Sequence, residues 1–402
     1  MRAENVAPIW PDLVTVVGVG AGGWSGLSRT GRGTVEAADV LFGSARQLAL
    51  VPASVAAERV TWPTPLLPAL PGLLDAHRGR RICVLASGDP MFHGIGATLV
   101  RVLGADRVRV EPHPSAASLA AARMGWPLAD TEVVSLVTAP VDAVRRLINP
   151  GRRFLVLSRD ASTPALVAGV LIGAGYDLGK ITVLSQLGGP DECVTTDLAA
   201  ADPLNVVAVE CGDGPATAVV PGLPDSAYET DGQLTKREVR AVTLAALAPT
   251  PGALLWDVGG GSGSIGIEWM RSHPACRAYT IESSPARCAT IRTNAALLGV
   301  PGLSVVEGRA PGALTGLPIP DAVFIGGGLT AEGVLDACLA ALRPGGRLVA
   351  NAVTVESEAV VAAAYAKLGG ELTRLTVSRG SPVGGFTGWR TMMPVTIWSV
   401  TT

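Results

Sequence analysis

The stretch Leu254 to Glu268, LLWDVGGGSGSIGIE, restricts the possible folds more than any other part of the chain. An apolar run, Leu254-Leu255-Trp256, ends in an acid, Asp257, and passes through a glycine-dense turn into a helix start near Ser264. A buried strand that hands over to a helix in this way is a unit of an α/β fold with a parallel sheet. Gly259, Gly261 and Gly263 let the backbone reach positive φ and let a ligand lie against the main chain. The free N–H groups at the helix start point back into the same turn. Roughly 20 residues on, a second strand, Ala278 to Ile281, ends in Glu282, where a carboxylate can accept hydrogen bonds from both hydroxyls of a ribose.

Two ligands fit this pattern. Gly261-Ser-Gly263-Ser-Ile-Gly266 has the spacing of a dinucleotide fingerprint. S-adenosylmethionine is favoured on two grounds. Asp257 stands where a cationic methionine amine needs an acid, and the same carboxylate would repel a pyrophosphate. A later strand, Leu303 to Val306, runs into Glu307-Gly308-Arg309-Ala310-Pro311, a turn of the kind that brackets an adenine.

The bulk properties narrow the class. A length of 402 residues suggests two or three domains. Net charge is −2 with no dense Lys/Arg run, which argues against nucleic-acid binding through phosphates. The opening residues MRAENVAPIW lack the apolar segment of a signal peptide, and no apolar run is long enough to span a membrane. The six cysteines are scattered, without C-x-x-C, as in a reducing cytoplasm, and the four histidines show no metal-ligand spacing.

Earlier in the chain, Leu13 to Val17 runs into Gly18-Val-Gly20-Ala-Gly22-Gly23, a second strand–glycine turn. Gly26 interrupts the helix that follows, and Asp39 to Gly43 is the next strand. Arg81 to Ala86 is a strand ending in Ser87-Gly88-Asp89-Pro90, which places a small loop at the carboxyl edge of a parallel sheet, where α/β ligands bind. Asp89 also reads as a simple N-cap, and His93 as a structural histidine or a group facing a substrate. Residues 213–228 are rich in glycine and proline and read as a linker. Beyond them, Thr235 and Glu238 have the spacing of a capping box.

Four motifs in order, VVGVGAGG, ADVLFGSARQL, ASGDPMFHGIG and PHPSAASLAAARMGWP, resemble the tetrapyrrole methylase family. LTKREVRA, WDVGGGSGSIGIEW, PDAVFIGGG and RGSPVGGFTGWR resemble the decarboxylating precorrin methyltransferases. The resemblance implies a two-lobed tetrapyrrole methylase fold (class III methyltransferase) over residues 10–212. After the linker it implies a seven-stranded Rossmann-like class I methyltransferase domain over 229–402. It further implies methylation of two meso carbons of a precorrin-6 macrocycle, with loss of an acetate carboxyl, in cobalamin biosynthesis. Two S-adenosylmethionine sites and no metal are expected. By this match Gly18, Gly20, Gly88, Asp89 and Pro90 lie at or near the first cofactor.

No Ser–His–Asp set is apparent. None is needed if an electron-rich macrocycle meets an electrophilic methyl, since holding the partners in line and excluding water then carries most of the chemistry. Tyr228, Lys236 and Glu238 are the candidate proton donors after decarboxylation. A polycarboxylate substrate calls for arginines, and Arg379 and Arg390 are the candidates. Phe386 and Trp389, in the same stretch, are placed to cover a macrocycle face, although the stretch also reads as a β-hairpin with exposed arginines. A homo-oligomer, possibly a tetramer through the C-terminal domain, follows from the resemblance. An NAD-linked oxidoreductase and a non-catalytic S-adenosylmethionine-binding protein are the alternatives. A nucleic-acid methyltransferase lacks the basic surface it would need.

Overall fold

Val14–Val19 (β1), Val40–Gly43 (β2), Glu58–Thr61 (β3), Ile82–Ser87 (β4) and Val108–Glu111 (β5) form one parallel sheet in the order β3-β2-β4-β1-β5. A parallel strand inside such a sheet is covered on both faces, which is why β1, β2 and β4 are almost continuous apolar runs. Val16, Phe42 and Val84 pack on one face; Val17, Leu41 and Leu85 pack on the other. A second sheet holds Glu132–Ser135 (β6), Arg153–Leu157 (β7), Lys180–Ser185 (β8), Cys193–Thr195 (β9) and Asn205–Glu210 (β10), in the order β6-β7-β10-β8-β9. Only β6 and β7 run parallel there. These are the two expected α/β lobes.

The computed structural model describes residues 13–402, so the reading of the first ten residues and a domain start at residue 10 lie outside the described residues. The chain divides into two compact units. One runs up to Val141 and adds Pro150–Gly214; the other comprises Asp142–Asn149 and Pro215–Thr402.

The second unit is built on Leu254–Val258 (β11), Arg277–Glu282 (β12), Ser304–Glu307 (β13), Ala322–Ile325 (β14), Arg347–Ala352 (β15), Glu371–Leu375 (β16), Ser378–Val383 (β17), Phe386–Thr391 (β18) and Val395–Thr401 (β19). Seven of these form one sheet, β13-β12-β11-β14-β15-β19-β16, with β19 antiparallel to both neighbours. Among the described residues β17 and β18 pair only with each other, as a hairpin. β11 is buried at every position. The strand order reverses between β11 and β14, so the crevice beyond their carboxyl ends is where ligands of such sheets sit. Among the described residues no helix is long and apolar enough to cross a membrane.

Two local readings differ from the structure. The stretch 213–228 is not free along its length: Leu223 and Tyr228 are buried in the core of the second unit. Glu268, itself buried, collects the Gly222 and Leu223 amides and so fixes this segment from below. The Thr235/Glu238 capping box does not form. The helix is Arg237–Leu247 with Lys236 at its N-cap and no side-chain cap bond. Asp225 accepts from the Arg237 amide instead, and the Glu238 carboxylate is turned toward Arg379.

Candidate functional site

The turn after β11 is shaped by contacts that leave no room for a Cβ. Gly259, Gly261 and Gly263 all take positive φ. A Cβ on Gly259 would stand 2.5 Å from the Cα of Gly327, in the loop after β14. The two loops at the strand-order reversal therefore touch main chain to main chain. The Gly259 and Gly260 amides donate to the Ile281 carbonyl, and the Gly261 amide donates to Glu282 Oε2 at 2.9 Å. Gly263 begins the helix Ser264–Ser272, packed so closely that a Cβ would stand 2.7 Å from Ile291 Cγ2.

Asp257 is 1% exposed, yet it lines a cavity of about 770 Å³ together with Gly259, Gly261, Lys236, Arg379 and Arg390. Its Oδ2 accepts from the Gly266 amide and the Thr280 hydroxyl. Burial pushes its carboxyl up to about 7, against the pull of those two donors, and the nearby Glu282 adds to the rise. Among the described residues no cation pairs with it. A second cavity of about 340 Å³ shares Gly259 and Gly261 with the first and is lined by Glu282, Gly308, Arg309 and Ala310. All the second-unit cofactor candidates except Gly263 are thus gathered along one crevice.

The candidates for chemistry separate. Lys236 faces the large cavity. Tyr228 does not: its hydroxyl donates to Glu268 Oε1 at 2.8 Å beneath the Arg240 guanidinium, and burial raises its pKa far above the ordinary range. Glu238 lines neither cavity, and the bond from Arg379 holds its carboxyl below the usual carboxylate range. Arg379 and Arg390 are cross-strand partners on the hairpin. Arg379 is bound to Asp225 at 3.0 Å and to Glu238 at 2.5 Å, whereas among the described residues Arg390 makes no hydrogen bond or ion pair. Phe386 and Trp389 line no part of the cavity; they are 84% and 81% exposed on the hairpin.

In the first unit, a Cβ on Gly18 would stand 2.3 Å from the Gly88 carbonyl oxygen, and the Gly88 amide donates to the Val19 carbonyl. The glycine turn and the Gly-Asp-Pro loop are thus in direct contact. Gly20, Gly88, Asp89 and His93 line a cavity of about 180 Å³. Gly18 faces a different one, of about 310 Å³, beside Ser28 and His113. Pro90 is buried beneath the turn that follows it and lines neither. Arg46, Ser87, Ser158 and Asn205 also face the smaller cavity, and the sequence reading did not single them out. Only the ADVLFGSARQL motif carries a hint of Arg46.

The family described as tetrapyrrole (corrin/porphyrin) methylases matches residues 13–202, and the precorrin methyltransferase domain matches residues 226–402. A precorrin-6Y C(5,15)-methyltransferase [decarboxylating] of Sinorhizobium sp is 48% identical over 96% of this chain and 96% of its own length. One from Mycobacterium tuberculosis is 51% identical over 97% of this chain and all of its own. The chain belongs to the precorrin-6Y C5,15-methyltransferase family. A probable cobalt-precorrin-6B C(15)-methyltransferase (decarboxylating) of Pyrobaculum calidifontis is 35% identical over 44% of this chain and 94% of its own length.

Members of this precorrin-6Y C5,15-methyltransferase family use S-adenosylmethionine, and the second unit's residues fit that group. A buried carboxylate that faces a cavity and, among the described residues, pairs with no cation suits the methionine ammonium, and it would oppose the pyrophosphate of a dinucleotide. Nothing in the comparisons supports an oxidoreductase.

Proposed function

We propose that this methyltransferase adds two methyls to meso carbons of a precorrin-6 macrocycle and removes one acetate carboxyl, giving precorrin-8X in cobalamin biosynthesis. The observation that carries this is likeness to decarboxylating C5,15-methyltransferases at about half identity across both units. The division of labour extends the reading: the first unit makes the C5-type methylation, and the second makes the C15-type methylation and decarboxylates. Each unit then holds one S-adenosylmethionine, which supplies an electrophilic sulfonium methyl when bound.

In the second unit Asp257 would take the methionine ammonium and Glu282 the ribose hydroxyls. Gly259 and Gly261 would let the main chain approach, and Gly308, Arg309 and Ala310 would bracket the adenine. Arg390, with no protein carboxylate to satisfy it, would hold a substrate carboxylate, while Arg379 is kept in place by Asp225 and Glu238. When the carbon–carboxyl bond breaks, the electron pair passes into the conjugated macrocycle and carbon dioxide leaves. A proton must then return. Of the three candidate donors only Lys236 faces the cavity, and it takes that role.

Two coarser properties complete the reading. The apolar hairpin residues Val383, Phe386 and Trp389, and Met393 just after the hairpin, are exposed, which supports a homo-oligomer formed through the second unit. The six free cysteines, five of them buried, suit a cytoplasmic enzyme. The test of function is incubation with a precorrin-6 substrate and labelled S-adenosylmethionine, read by mass. Two methyls gained and one carbon dioxide lost is the expected product; uptake of the donor without turnover would favour a non-catalytic binding protein.

A further inference from the structure

Ser87 ends β4, and its hydroxyl is used in an unusual way. Arg46 Nη2 donates to Ser87 Oγ at 2.7 Å, and Gln47 Nε2 donates to the same oxygen at 3.0 Å. Both directions are fixed by chemistry. A guanidinium has only donors. The Gln47 amide is oriented by its other end, because Oε1 must accept the Ser44 amide at 2.7 Å. A serine oxygen has two acceptor sites and one proton. With both acceptor sites taken by N–H groups, Ser87 has its proton left to give. Among the described residues no acceptor meets it, and Ser87 faces the first unit's cavity.

Arg46 faces the same cavity. Among the described residues it makes no ion pair; Asp202 acts on it only from a longer range. A fixed guanidinium and an O–H without an acceptor, on one cavity wall, are complementary to a planar anion. Asp89, on the same cavity, is turned to the Met91 amide at 2.8 Å.

We propose that Arg46 and Ser87 form a carboxylate-binding subsite in the first unit. This rests on the reading of that unit as a methyl-transfer site. Two sources supply a carboxylate there: the amino-acid end of S-adenosylmethionine, and a carboxylate side chain of the macrocycle.

The experiment uses the full chain with Arg46→Gln, Ser87→Ala and Ser87→Thr. S-adenosylhomocysteine binding is followed by calorimetry, and KM for a precorrin-6 substrate is followed by mass. A charged hydrogen bond of this kind corresponds to a change of about 10- to 100-fold. If the donor's carboxylate is held, Arg46→Gln weakens one of the two S-adenosylhomocysteine sites by that factor. If the macrocycle's is held, both sites are unchanged and KM for methylation in the first unit rises instead. In either case Ser87→Ala shifts the same quantity and Ser87→Thr, which keeps an O–H, restores it. A lowered melting temperature with binding and KM unchanged would reduce Arg46 to a clip between a helix and β4 and overturn the subsite alone. A wild-type chain that binds no S-adenosylhomocysteine in the first unit and methylates nothing would overturn the functional reading and the subsite with it.

Discussion

Arg379, on the wall of the cavity of about 770 Å³ in the second unit, donates to the Glu238 carboxylate at 2.5 Å. The pair is about 40% exposed on each side, so it orients more than it stabilises. It also separates two arginines that the sequence presents as equals. Arg379 is satisfied within the protein, and Arg390, directly across the hairpin, has no such partner among the described residues. Arg390→Gln is therefore expected to raise KM for the second-unit reaction about 10- to 100-fold, with little effect on melting. Glu238→Gln is expected to cost less than about 1 kcal/mol of stability and to leave carbon dioxide release intact. Steady-state kinetics with mass detection checks both, and loss of decarboxylation in the glutamine variant would return Glu238 to the list of proton donors.

The Asp257 carboxyl gives a pH dependence with a defined sign. Its ordinary value is 3.8, and burial raises it to about 7. Between those values the folded chain keeps a proton that the unfolded chain has lost. The stability it contributes is present in full below the lower value and is lost as pH rises through the upper one. Binding of a cationic amine needs the ionised form, so affinity runs the opposite way. S-adenosylhomocysteine is expected to bind this site up to about tenfold more weakly for each pH unit below 7, and the ligand's own amine sets the upper limit near pH 8. Asp257→Asn should bind weakly and lose the slope. Calorimetry across this range decides it: a flat wild-type profile would mean that the carboxylate does not meet the amine.

Much of this arrangement is legible in the sequence because it rests on local rules. A parallel strand buried on both faces is an apolar run, and a turn at positive φ calls for glycine, so β1, β4, β11 and their loops stand out. What stays hidden depends on partners distant in sequence. Thr235 and Glu238 have capping-box spacing, but Asp225 serves the helix end and Arg379 claims the glutamate. Tyr228 resembles an available acid until Glu268 and Arg240 enclose it. Arg46 and Ser87 are 41 residues apart, and only the adjacency of β2 and β4 brings them together. β16 and β19 flank the end of the sheet without a motif of their own.

Arg240 and Glu268 form a buried ion pair at 2.6 Å, with 0% and 2% of their side chains exposed. Glu268 also accepts the Gly222 and Leu223 amides and the Tyr228 hydroxyl, so its charge is fully used inside the core. Arg240→Met leaves that carboxylate without its cation. The expected cost is about 3–5 kcal/mol to the second unit. Adding Glu268→Gln removes the stranded charge and should recover part of the loss. Chemical denaturation followed in the second unit tests this; equal and additive losses would mean that the two residues act independently.

Two glycines allow the two-site reading to be tested one site at a time. A Cβ at position 18 would stand 2.3 Å from the Gly88 carbonyl oxygen, and one at position 259 would stand 2.5 Å from the Gly327 Cα. Both obstacles are main chain, which cannot swing aside as a flexible side chain can. At Gly259 the φ of 77° adds strain of about 1–2 kcal/mol for any residue with a Cβ. Gly18→Ala should therefore spoil only the first cradle and Gly259→Ala only the second. Calorimetry with S-adenosylhomocysteine is expected to give two sites for the wild type, one for each variant and none for the double variant. Mass analysis separates the chemistry: Gly18→Ala should lose the first-unit methyl and Gly259→Ala the second-unit methyl. A Gly259→Ala chain that still gains both methyls would mean that the second unit holds no donor of its own.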